Sequence, residues 1–158
     1  MVFIDCTPNA TDTYYYGRQQ FDDRGWGCVY RSAQTTLATL GYARGERPMP
    51  HVLDMMSVLG VDVHEAPGQM WIEPKQVRDL LIEYSGPLHR HGQQTTQQLT
   101  WHPRLIGIGV TGNTHLLRRT VPGDFDTMYS DWRLFHNDVV RHLRNHDSPV
   151  VVDDGISG

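Results

Sequence analysis

Phe21 to Gln34 reads FDDRGWGCVYRSAQ, and this stretch decides how the rest of the 158-residue chain is read. It begins as a glycine-punctuated loop and turns into a helix. From Cys28 onward Val29, Ala33, Leu37 and Leu40 recur at helical spacing, and Gly41 stands where a helix stop belongs. Cys28 therefore falls at the junction, on the first helical turn. Free backbone N–H groups and the positive end of the macrodipole favour a thiolate at such a place. The same N–H groups can donate to an oxyanion forming beside the sulfur. Gly25 and Gly27, on either side of Trp26, remove side-chain bulk and would let a substrate backbone approach closely. On spacing alone the ordinary alternative remains open: a small, inert, buried thiol on the first turn of a helix. Asp22 and Asp23 also have two readings, as acid–base carboxylates or as structural partners of Arg24 or Arg31. Their place just before a loop–helix junction favours the structural one.

Working outward, three further helices are expected. One opens with Pro50 in its first turn, covers HVLDMMSVL and stops at Gly60. Another starts at Glu73-Pro74, carries Val77, Leu80, Leu81 and Tyr84 on one stripe, and ends near Gly86. The last follows Ser130 as N-cap, with Asp131 in the first turn and Phe135, Val139, Val140 and Leu143 facing inward. Strands are expected at Tyr14–Tyr16, Leu105–Val110, Leu116–Val121 and Pro149–Val152. The Gln/Thr-rich stretch from Ser85 to Pro103 reads as a long surface loop, and residues 5–13 as a turn region. Helices near the front and strands toward the back give an α+β class. No linker or repeat divides residues 1–158, so a single domain is expected.

Composition narrows the function classes. The 39% hydrophobic and 20% charged fractions suit a globular chain. A net charge of −4, from 14 basic and 18 acidic residues with no Lys/Arg run, argues against a general grip on nucleic acid. Apolar runs such as LIGIGV at 105–110 fall far short of the ~20 residues a membrane span needs. MVFIDCTPNA at the start has no charged segment leading into an apolar one, so no secretion signal is read and a reducing, cytoplasmic setting is expected. Two cysteines, Cys6 and Cys28, allow one bridge at most.

The pattern DDRGWGC-x-YR-x-x-Q, at Asp22 to Gln34, resembles the nucleophile segment of the cysteine proteases specific for the ubiquitin-fold modifier. These are papain-like hydrolases related to the autophagy cysteine protease. Two outlying features agree. Tyr16 in YYYG, twelve residues before Cys28, matches the family's oxyanion-hole tyrosine, and Trp71 in MWIEPKQV resembles the tryptophan beside its substrate groove. The stretch from Ser148 to Val152 followed by Gly155 resembles the strand ahead of the last catalytic motif. The resemblance implies a papain-like fold, its nucleophile at the N-terminus of a central helix packed on an antiparallel sheet. Cys28 would form a thioester at the modifier's terminal glycine, Tyr16 would donate to the oxyanion, and Trp26 and Trp71 would wall a glycine-wide tunnel. The implied partners are a ubiquitin-fold modifier and its conjugates, without cofactor or metal. Two departures stand. Trp71 is followed by Ile-Glu-Pro in place of Ile-Gly, and no Asp-Pro-His, the family's source of base, occurs in the chain. The expectation is a peptidase domain incomplete at its C-terminal side. The rival readings are a non-enzymatic module that binds the modifier's tail, or a relative of the deubiquitinase or autophagy type.

Histidines already present offer weaker substitutes for that base. His102 and His115 have no spacing that requires them at a thiol site. His142 and His146 stand four apart on one helix, metal-ligand spacing with no third ligand at a recognisable interval. His89-Arg90-His91 reads as a solvated segment.

Overall fold

The computed structural model describes residues 3–4, 13–40, 48–62, 64, 72–84, 86–90, 93–99, 102–108, 125–146 and 150–151. Its first helix, α1 (Cys28–Thr39), starts at the cysteine itself. α2 (Val52–Leu59) and α3 (Pro74–Glu83) follow, and α1, α2 and α3 pack on one another. Their apolar stripes meet in one cluster that includes Tyr30, Leu37, Met55, Met56 and Leu80, all fully buried. Burial of such apolar surface stabilises a fold by ~25 cal/mol per Å2.

Helix ends follow local chemistry, with two changes from expectation. α2 is capped by His51, whose Nδ1 accepts the Leu53 N–H at 3.1 Å while Asp54 accepts the His51 N–H at 3.0 Å. Pro50 thus lies outside the helix, before the cap, and not in its first turn. Gly60, at φ 69°, terminates α2 as expected, with the Val61 N–H reaching back to the Met56 carbonyl at 2.9 Å. α3 has Glu73 as cap residue, Pro74 in its first turn and the Gln76 side chain accepting the Glu73 N–H at 2.8 Å. In α4 (Trp132–His146) the cap is Asp131, not Ser130: its carboxylate accepts the Arg133 N–H at 2.7 Å.

Among the described residues the strands form three two-stranded pairs. β1 (Phe3–Ile4) runs antiparallel to β6 (Val150–Val151). β2 (Gly86–Arg90) and β3 (Gln93–Leu99) make an antiparallel hairpin where a surface loop was expected. The pairing comes from the backbone, and a Gln/Thr-rich sequence shows no apolar alternation to betray it. β4 (Ile106–Ile108) lies parallel to β5 (Thr127–Tyr129), and α4 packs on both. Tyr14–Tyr16 is not a strand: Tyr16 and Gly17 form a turn, the latter at φ 78°. The Arg18 guanidinium lies 4.0 Å over the Tyr14 ring and bonds the Thr13 carbonyl at 2.7 Å, which folds the segment back. The expected strand at 116–121 lies outside the described residues. The class is α+β, and among the described residues α1 packs chiefly on α2 and α3.

A carboxylate ties α4 to the parallel pair. Asp138 accepts the Tyr129 hydroxyl at 2.6 Å and an Arg104 N–H at 3.2 Å, and Arg141 donates to its other oxygen. The Tyr129 and Arg141 hydrogen bonds, against the opposing effect of burial, hold its pKa down at about 2.

Candidate functional site

The loop from Tyr16 to Gly27 brings the phenol and the thiol together. Tyr16 stands close enough to Cys28, at the start of α1, for the two side chains to influence each other electrostatically. Burial, then the charge and hydrogen bond of Cys28, then the charge of Asp23, raise the Tyr16 pKa above its ordinary value. The phenol therefore keeps its proton and remains a donor through the pH range in which thiols ionise. Tyr16 is 43% exposed, and Cys28 is a partly buried free thiol that forms no disulfide. Gly27, the cap residue, supplies no side chain to the first N–H groups of α1, and the first turn holds no acid. The dipole end beside the sulfur is thus left uncovered by any cap.

Beneath this surface is a polar framework. Asp23 is 0% exposed and Arg31, one turn past the cysteine, only 3%. Arg31 donates from Nε to one Asp23 oxygen at 2.7 Å and from a terminal nitrogen to the other at 3.1 Å. Its remaining donors go to the Arg18 carbonyl at 2.9 Å, to Gln19 at 3.2 Å and to Gln34 at 3.0 Å. All five N–H groups of the guanidinium are placed. Gln34 extends the framework to the Gln19 side chain at 2.9 Å and the Pro50 carbonyl at 2.7 Å, joining the loop, α1 and the entry to α2. Burial acts upward on the Asp23 carboxyl. The Arg31 hydrogen bonds, the Gly17 N–H and the guanidinium charge outweigh it, and the net shift is downward. Asp22, by contrast, pairs on the surface with Arg24 through two 2.8 Å bonds, which bring its pKa to about 2. Both acidic residues thus have the structural partners expected of them.

Gly27 owes its identity to this framework. A Cβ there would sit 2.1 Å from an Asp23 carboxylate oxygen. The space that suggested room for an incoming backbone is filled by the protein's own aspartate. Gly25, at φ 88°, serves the turn conformation. Trp26 is 8% exposed and packs edge-on against Phe21 and Tyr30, at 5.9 Å between centroids in each case. It is a core residue directly before the site. Trp71, its expected companion, lies outside the described residues, as do Cys6 and His115. His102 is exposed, and His51 is engaged as the α2 cap.

Sequence reading missed Gln19 as a member of the framework. Nothing in the local pattern marks it, because its backbone sits at a positive φ of 64° that glutamine rarely adopts. Gln34 was visible only as a position in the motif. A buried helix face carrying Arg31, Gln34 and Thr35 was the available signal that a polar partner had to arrive from elsewhere.

Among the described residues no group of three His, Cys, Asp or Glu is placed to hold a metal ion, and no helix is long and apolar enough to cross a membrane. No family model, curated protein or solved structure matches the chain.

Proposed function

We propose that the chain belongs to a papain-like thiol protease that cleaves after the C-terminal glycine of a ubiquitin-fold modifier, by maturation of a precursor, release from target lysines, or both. The observation that carries this reading is Cys28 at the start of α1, with no side-chain cap and no acid in the first turn, joined to the Tyr16 turn through Asp23, which accepts the Gly17 N–H at 3.0 Å and the Gly27 N–H at 2.8 Å. In that arrangement the Cys28 sulfur bonds to the glycine carbonyl carbon, the C–N bond on the far side breaks, and the amine leaves carrying the proton that the thiol gives up. Tyr16 and the Cys28 N–H donate to the oxygen that becomes negative, and water then hydrolyses the thioester. The agreement of the Asp22–Gln34 pattern with the modifier-specific proteases supplies the substrate class.

The test is a modifier extended beyond its terminal glycine. The parent chain is expected to cleave it and Cys28→Ser to leave it intact. Tyr16→Phe is expected to lower kcat by about 10^2–10^3 with little change in KM, because the donor acts on charge that develops in the transition state. Cleavage by Cys28→Ser at the parent rate overturns the proposal.

A further inference from the structure

We infer that Asp23 is the positioning residue of the Tyr16–Cys28 pair, one buried side chain and its own carbonyl fastening the two catalytic groups at their neighbouring backbone atoms. The inference rests on the reading of Cys28 as nucleophile and Tyr16 as its donor. Asp23 Oδ1 accepts the N–H of Gly17, the residue after Tyr16, at 3.0 Å. The Asp23 carbonyl accepts the N–H of Gly27, the residue before Cys28, at 2.8 Å, and that of Trp26 at 3.3 Å. The carboxylate also lies so close to the Gly27 α-carbon that no side chain fits there. Arg31 locks the carboxylate from α1, the same helix that carries the cysteine, and bonds the Arg18 carbonyl on the far side of Tyr16.

The consequence lies in the geometry of Tyr16. Tyr16 is 43% exposed, so its backbone shares with side-chain packing the task of placing the hydroxyl. Gly17 at φ 78° turns its N–H into the Asp23 carboxylate, and that bond fixes where the preceding residue points. A misplacement of about 1 Å between reacting groups can cost on the order of 10^2-fold in rate, so a part-buried hydrogen bond at the residue directly after Tyr16 has a kinetic effect.

Asp23→Asn leaves a buried guanidinium without its counter-charge, and unfolding would mask a positioning effect. A milder change removes only the donor. Ligation at the Gly27–Cys28 junction joins a synthetic 1–27 thioester to recombinant 28–158, which already begins with the required cysteine. Glycolic acid in place of Gly17 then converts its amide to an ester and deletes the N–H aimed at Asp23. The readout is the iodoacetamide alkylation rate of Cys28, mapped by peptide mass, with the fold checked by circular dichroism. It is taken with Tyr16 intact and in the Tyr16→Phe background. Tyr16→Phe is expected to slow alkylation about tenfold by removing the hydroxyl donor beside the reacting sulfur. The ester is expected to slow it roughly three- to tenfold with Tyr16 intact and to change it by less than about twofold in the Tyr16→Phe background, the signature of two changes acting through one contact. Equal slowing in both backgrounds means Asp23 serves stability alone, and no slowing in either means the bond positions nothing. Either result overturns the inference while leaving the reading of the site in place. A Tyr16→Phe variant that alkylates at the parent rate overturns that reading, and the inference with it.

Discussion

Asp23 and Asp138 are both buried carboxylates paired with arginine, and they do different work. Asp23 meets a single arginine that is itself buried, whose other donors are all committed to the loop and α1. Asp138 meets two arginines whose side chains are 51% and 68% exposed, together with the Tyr129 hydroxyl. The first arrangement has no water to replace a lost partner. The second has solvent beside every cation, so the ion pairs are screened and contribute little, and the Tyr129 bond carries most of the specificity. Burial of the carboxylate alone does not decide its worth; the exposure of the partner does. The buried pair also lies beneath the thiol, whereas the half-exposed one fastens α4 to β5.

The difference can be broken most sharply at Asp23. Asp23→Asn is expected to cost about 3–5 kcal/mol, the effect of leaving a buried charge unpaired, read as a fall in denaturant midpoint. A loss no larger than that at Asp138 removes the contrast. Next comes Gly27→Ala, whose new methyl must displace the Asp23 carboxylate. Overpacking of this kind costs about 1–3 kcal/mol or somewhat more, and unchanged stability would show that the contact is not tight. Asp138→Asn is expected to cost no more than about 2 kcal/mol, since the carboxamide still accepts from Tyr129.

Asp138 also makes a pH prediction. Its folded pKa of about 2 lies below the ordinary 3.8, so its contribution is complete above the ordinary value and is lost as pH falls toward about 2. The stability difference between parent and Asp138→Asn should therefore be constant from neutral pH down to about 4 and then shrink, as followed by thermal unfolding at several pH values. A difference that grows on acidification contradicts the assignment. Smallest of all is Asp22→Asn. The Asp22–Arg24 pair is exposed on both sides, with side chains 65% and 76% accessible, and its removal should leave the midpoint unchanged within error.

What the sequence disclosed follows the same division. α1, α2 and α3 were legible because glycine, proline and apolar spacing act locally, and the pairing of Asp22 and Asp23 with nearby arginines was within reach for the same reason. The β2–β3 hairpin was not, because a ladder can join Gln and Thr residues without any apolar alternation. Tyr14–Tyr16 read as a strand on aromatic propensity, and a cation over Tyr14 and a left-handed Gly17 overrode that propensity. In the site, the proximity of Tyr16 and Cys28 was implied by the motif resemblance and by no local rule. The reason for Gly27 was misread altogether. A glycine beside a candidate nucleophile suggests space for a substrate, but here an aspartate four residues earlier in the chain occupies that space.

The central claim is that Cys28 is a nucleophile with Tyr16 as its donor. A ubiquitin-fold modifier carrying a C-terminal propargylamide, incubated with the chain and followed by intact mass and peptide mapping, tests it most directly. A single adduct on Cys28 is expected, absent in Cys28→Ser and formed more slowly in Tyr16→Phe. An adduct on Cys6, one that survives Cys28→Ser, or no adduct at all would contradict it.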